Sequence, residues 1–221
     1  MKRFSTTKTL LVEGQDDKNF IESFLHNLAK DNPGIDRTIY IHQIGGNGNI
    51  ASSDEKSLLL AAEDPAFKIN VKHLAILFDG DGNQDKAFKR VEKDISKINE
   101  KFQQLEFFLS DKINQIDQNL KTSDNKEFNV KTFIFLFEED LENAFLKSVS
   151  KDDKKILEEC VLEFFECTKT DKINNKKRVQ ALLSTKPEVR DIGSAAKKGL
   201  VDFDHKSFSS LKNFLLEFSQ L

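Results

Sequence analysis

Thr9-Leu10-Leu11-Val12 is a short apolar run that stops at Glu13-Gly14, and it predicts a buried strand. Apolar residues then recur at Phe20, Ile21, Phe24, Leu25 and Leu28, the spacing of a helix over residues 17–30 that Asn32-Pro33-Gly34 breaks. The β-branched segment 38–44 predicts a second strand. Residues 50–63 predict a helix stopped at Asp64-Pro65, and the run 71–78 a third strand. Strand and helix alternate, so the expected unit is βαβαβ, with a parallel sheet and right-handed crossovers.

Beyond it, Val91, Ile95, Ile98, Phe102, Leu105, Phe108 and Ile113 lie mostly three or four apart. This spacing predicts one long helix or a helical hairpin over residues 85–120, within a helical expansion covering 85–130. The apolar segment 131–137 predicts a fourth strand, which runs into Glu138-Glu139-Asp140-Leu141-Glu142-Asn143. Helices are expected over 151–169, 174–184 and 208–218. The fold class is therefore α/β: a parallel sheet of about four strands flanked by helices, in a single domain over 1–221 with a helical C-terminal part over 150–221.

Composition narrows the function classes. The chain has 221 residues, 38% apolar and 32% charged, which is the make-up of a water-exposed globular domain. Phe, at 20 residues with no Trp, is expected to fill the core. A net charge of −3 excludes a protein that coats nucleic acid by bulk electrostatics, but not an enzyme that meets phosphate through metal ions and a local basic patch. No apolar run reaches the length of a membrane span and no signal segment is evident, so the expected compartment is the cytoplasm, with no membrane partner. Cys160 and Cys167 have no zinc spacing and are expected to be buried, reduced thiols.

The chemistry concentrates at strand ends. His73-Leu74-Ala75-Ile76-Leu77-Phe78-Asp79-Gly80-Asp81-Gly82 is an apolar run that ends in two aspartates one residue apart. Such close carboxylates repel unless a cation or proton lies between them. Glu13 ends the first strand, and the fourth runs into an acidic cluster that closes at Glu142. In a parallel sheet these ends share one edge, where open α/β sheets place ligands. Hard oxygen donors there suit Mg²⁺ or Mn²⁺. Gly14 and Gly80 beside the acids are expected to let a phosphate approach. Each acid also has a plainer reading: Glu13 as a solvated loop carboxylate, Asp79 and Asp81 as caps of the next helix, and the cluster 138–142 as dipole partners of a helix start.

Leu11-Val12-Glu13-Gly14 with Asp17, followed by Ile76-Leu77-Phe78-Asp79-Gly80-Asp81, resembles the Toprim signature over residues 8–145. The resemblance implies a small parallel sheet whose strand-one glutamate and Asp-x-Asp pair work with Mg²⁺ in phosphoryl transfer, as in topoisomerases, primases and nucleases of the overcoming-lysogenization-defect type. Over the whole chain the sequence is more closely similar to an uncharacterised stand-alone Toprim-like family. The residues are Val12-Glu13-Gly14-x-x-Asp17, Ile44-Gly45-Gly46, Asp79 and Asp81, Leu141-Glu142, Lys176, Ala196-Lys197-Lys198-Gly199 and Phe203-Asp204-His205. One departure is Asn83, where Toprim proteins often carry a third aspartate.

On this reading Glu13, Asp79 and Asp81 hold one or two ions and carry catalysis, Glu13 as ligand or general base, and Glu142 completes a second site. Lys176 supplies charge to the developing phosphorane oxygens. Backbone amides of Gly45, Gly46 and Gly48 cradle a phosphate, although no Gly-Lys-Ser/Thr follows to make a P-loop. The expected substrate is DNA or RNA. The alternative is a non-catalytic Toprim-like module that binds nucleotide, nucleic acid or protein. Phe78-Asp79-Gly80-Asp81-Gly82 also resembles the first motif of haloacid-dehalogenase-type phosphatases, but a complete βαβα unit precedes it and no late Asp-Asp follows. An EF-hand fails because Gln84 stands at its glycine position and Arg90 at its glutamate position. The four histidines form no catalytic constellation.

Overall fold

The structure, a computed structural model, describes residues 3–45, 50–123, 125–169 and 173–221. The first strand, β1, is Lys8–Val12 and is buried along its whole length. Helix α1 (Gln15–Asp31) turns Phe20, Ile21, Phe24 and Leu28 inward, as the periodicity requires. β2 is Tyr40–Gln43 and β3 is His73–Asp79.

The segment between β2 and β3 is not the long helix its apolar content suggests. It contributes only α2 (Leu58–Ala61) and α3 (Pro65–Asn70). Ser52, Asp54 and Ser57 spend their side chains on nearby backbone N–H groups, Asp54 on Lys56 at 3.1 Å and Ser57 on Leu60 at 3.2 Å. Such local bonds compete with helix formation.

The expected expansion also divides. Helix α4 (Gln84–Lys101) ends at Phe102, and β4 (Leu105–Ile113) follows as a fifth strand. Leu105 and Phe107 point inward with the period of a strand, while the three-residue steps Phe102, Leu105, Phe108 only imitate a helix. Asn99 fixes the turn: its amide donates to the Phe107 carbonyl at 2.9 Å and its Oδ1 accepts from the Phe107 N–H at 2.8 Å. β5 is Phe128–Phe137.

The strands run β2-β1-β3-β5-β4, all parallel. Both faces are covered. Leu10, Val12, Ala75, Leu77, Phe133 and Phe135 pack with α1 and the C-terminal helices, while Leu11, Leu74, Ile76, Phe78, Ile134 and Leu136 pack with α2, α3 and α4. Burial on both sides explains why these strands read as unbroken apolar runs.

The C-terminal part is helical, as expected: α5 (Leu141–Ser148), α6 (Lys151–Ile156), α7 (Leu162–Cys167), α8 (Asn175–Ser184), α9 (Ile192–Lys197) and α10 (Ser209–Ser219). It shares one core with the sheet. Lys8 Nζ of β1 donates to the Ser219 carbonyl of α10 at 2.6 Å and to Asp36 at 3.2 Å.

A π-helical turn, Leu157–Val161, joins α6 to α7. The buried side of this helix is Asp153, Leu157, Val161 and Phe165, spaced by four at every step. Each such step overshoots a 3.6-residue turn by about 40°, so a regular helix would carry the stripe out of the core, and the wider turn takes up the excess. Cys160 and Cys167 fall off the stripe and are exposed, which corrects the expectation of buried thiols. No helix of the described residues is long and apolar enough to cross a membrane.

Candidate active site

In the strand order, the connection from β1 runs to one side and the connection from β2 returns to the other. The switch point therefore lies between β1 and β3, where open α/β sheets form their ligand crevice. Glu13 follows the last residue of β1, and Asp79 is the last residue of β3.

Asp79 continues the side of β3 that carries Ala75 and Leu77, which faces α1 and α5. Its Oδ1 accepts from the Leu141 N–H at 3.0 Å, fastening β3 to the start of α5. Burial, then the charges of Asp17, Glu142 and Glu13, push the Asp79 carboxyl up to about 8, against the pull of the Leu141 N–H. Glu13 is raised by burial and by Asp17, relieved by Arg90, and raised further by Asp81 and Glu142. Asp17 is raised by burial, countered by the Gly14 N–H and by Lys176. Glu142 is raised by burial, with Asp140 and Asp17 adding to it and Lys176 opposing. These acids, remote in the chain, share one field.

Glu13, Asp17 and Asp79 line a cavity of about 10 Å³ closed by Val12, Leu77, Phe137 and Leu141. That is room for about one water-sized object. Asp81 is exposed outside it, held by its N–H on the Glu139 carbonyl at 2.9 Å with φ at 49°. Among the described residues, no three His, Cys, Asp or Glu side chains stand close enough together to hold an ion. The donor chemistry suits a hard cation, yet the expected set of Glu13, Asp79, Asp81 and Glu142 is not closed around a common point.

Asp17 is the member that sequence reasoning left out of the site. It sits in the first turn of α1 and accepts from the Gly14 N–H at 2.8 Å. The signal was present, since Asp17 belongs to the quoted motif, but a first-turn acid passes for a helix cap. Arg90, on the exposed side of α4, was visible only as part of a failed EF-hand pattern.

Lys176 stands at the opening turn of α8, exposed, and lines a small cavity with Asp16, Asp17 and Glu142. The helix after the Asp-x-Asp pair is capped by Asn83, whose side chain accepts from the Lys86 N–H at 3.0 Å, so neither aspartate is its cap.

Two expectations for glycine change. A Cβ on Gly80 would meet the Phe137 carbonyl oxygen at 2.2 Å, so this glycine serves the close approach of the β3 and β5 ends rather than a phosphate. Gly45, at φ 92°, donates its N–H to the Glu13 carbonyl at 3.1 Å, which takes that amide away from a phosphate cradle. Gly46 and Gly48 lie outside the described residues. His42 is buried, lowered to about 4, and its Nε2 lies 2.8 Å from the Lys56 carbonyl, so its role is structural. No histidine lines the cavity between the acids.

The family described as "Protein of unknown function (DUF3226)" matches residues 7–220. No curated protein and no solved structure matches the chain.

Proposed function

We propose, for a chain that belongs to the DUF3226 family of proteins of unknown function, a divalent-metal-dependent phosphoryl-transfer activity on nucleic acid. The observation that carries this reading is the gathering of Glu13, Asp17, Asp79 and Glu142 at the switch point, where burial first and then the neighbouring charges lift Asp79 to about 8. An apo site that holds an acid mostly protonated at neutral pH is one that a cation relieves. The Toprim resemblance, with Glu13 and the Asp79–Asp81 pair, supports the same assignment.

Glu13, Asp79, Asp81 and Glu142 would hold Mg²⁺ or Mn²⁺, and Asp17 joins them as a candidate ligand. A bound divalent ion supplies charge neutralisation at the attacking and leaving oxygens of a phosphodiester. The chain's own residues do the rest. The Leu141 N–H fixes Asp79 through Oδ1 and leaves Oδ2 for a ligand. Glu13, raised by burial and its acidic neighbours, accepts a proton from an attacking water more readily than an ordinary glutamate. Lys176 and Arg90, the cations in the field of these acids, bring positive charge to the rim for a phosphate group.

The test is Mn²⁺-dependent cleavage of end-labelled DNA and RNA by the purified chain. The expected result is cleavage that Asp79→Asn and Glu13→Gln each lower by about 100-fold or more. Equal rates in wild type and variants, or no cleavage of either polymer, overturn the reading. The open ligand set among the described residues favours one rival, a non-catalytic module that binds through the same rim without turnover. It predicts binding of nucleotide or nucleic acid lost in Asp79→Asn, with no product formed.

A further inference from the structure

A second cavity, about 790 Å³, opens behind the β5–α5 connection between α5, α8, the π-helical turn and the 3₁₀ turn Lys206–Phe208. Its size is that of pockets that take a whole small ligand. Arg178 of α8 lines it. Arg178 Nε is buried without a hydrogen-bond partner, and among the described residues the guanidinium enters no ion pair. Arg178 as a whole is half-buried and lines the cavity, so the outer N–H groups of its guanidinium are the ones that can meet an anion there.

The rest of the wall carries charge of both signs. Lys147, Lys154 and Lys206 line the same cavity and, among the described residues, have no ion-pair partner. Acids are present too: Glu138, Glu139, Asp140 and Glu158. Two of them are already engaged. Asp140 caps α5 on the Asn143 N–H at 2.6 Å and accepts from the Asn175 amide at 3.1 Å, and Glu139 accepts from the same amide at 3.4 Å. Phe137, Leu146 and Leu157 add an apolar side. Leu157 and Glu158 belong to the π-helical turn, a feature that recurs at functional sites.

We propose that this cavity binds a phosphate ester of nucleotide size. Arg178 takes the phosphate oxygens as a two-pronged donor, and Lys147, Lys154 and Lys206 neutralise the remaining charge. The cavity is too large for bare phosphate, and its apolar side suits a flat ring. Glu138 and Glu158 offer acceptors to hydroxyl or amino groups of the same ligand. This inference stands apart from the metal reading at the rim.

The experiment is a fluorescence titration of the full chain in EDTA with a methylanthraniloyl-labelled ADP, and in parallel with a dye-labelled DNA of five nucleotides. Binding of at least one probe is expected, weakened about tenfold or more by Arg178→Gln and unchanged by Lys30→Gln, an exposed α1 lysine that lines neither cavity. If Arg178→Gln does not fold by circular dichroism, the double variant Lys154→Glu with Lys206→Glu takes its place, with the same expected weakening. Binding of the labelled ADP assigns the phosphate ester to a free nucleotide, and binding of the DNA alone assigns it to a nucleic-acid chain. No binding of either probe, wild-type affinity in the Arg178 or lysine variants, or an equal loss in Lys30→Gln overturns the proposal. EDTA keeps this outcome independent of metal-dependent cleavage.

Discussion

At Asp79, burial and the carboxylates of Asp17, Glu142 and Glu13 hold the acid near 8, whereas in the unfolded chain an aspartate titrates near about 3.9. Between those values the folded state keeps a proton that the unfolded chain gives up. Stability in EDTA therefore falls as pH rises from about 4 to about 8 and levels off above that window. Asp79→Asn cannot ionise and keeps an acceptor for the Leu141 N–H. It is expected to melt above wild type at pH 8.5, by about 4 °C or more, with the gap narrowing towards pH 5. Melting curves across pH check this, and a variant less stable than wild type at high pH contradicts it. Gly80 makes a second residue-scale prediction. A Cβ at 2.2 Å from the Phe137 carbonyl forces two strand ends apart, so Gly80→Ala is expected to cost about 2–3 kcal/mol in urea unfolding. A neutral result means that this crowding relaxes freely.

Among the elements, what could be read from the chain follows from which ones bury both sides. β1, β3 and β5 are covered on both faces, so Leu10–Val12, Leu74–Phe78 and Phe133–Phe137 appear as continuous apolar runs with acids just beyond their ends. β4, at the sheet edge, interrupts its apolar residues with Glu106 and Ser110-Asp111-Lys112, and its spacing merged with that of α4. Over residues 50–63 the apolar residues outnumber the turn-forming ones and imitate a helix, while the side chain-to-backbone bonds that decide the shape around Ser52 and Asp54 have no periodicity. The acids at the rim were legible because Glu13, Asp79, Asp81 and Glu142 lie at or beyond strand ends; Asp17 showed only as part of the quoted motif and Arg90 gave no signal, because each sits on a helix where a charge is ordinary. The helix through the π turn carries two testable consequences. Cys160 and Cys167 are exposed, so both thiols of the folded chain are expected to react with Ellman's reagent within minutes, without denaturant. Protection of either places it inside. Deleting the exposed Glu159 converts the four-residue stripe into steps of four, three and four, which a regular helix accepts, so the melting temperature is expected to stay within about 3 °C of wild type. A collapse of stability contradicts this account of the turn.

In the molecule as a whole, one parallel sheet sets two regions side by side at its C-terminal edge: the acids around the switch point and the Arg178 cavity behind α5. The acids come from β1, α1, β3 and α5, and they meet only when the sheet is complete. The same sheet is locked to the C-terminal helices by Lys8, buried between Asp36 and the Ser219 carbonyl. Lys8→Ala leaves that carbonyl and carboxylate without their cation, and is expected to destabilise the whole chain in a single transition by about 1–3 kcal/mol, read by urea unfolding. Separate unfolding of α10 contradicts a shared core. The central claim, that these remote carboxylates gather to hold a divalent cation, is tested most directly by isothermal titration of Mn²⁺ into the full chain. The account predicts a binding isotherm that is lost in Asp79→Asn and Glu13→Gln while both variants remain folded. No heat with the wild type, or the same isotherm from all three proteins, contradicts it.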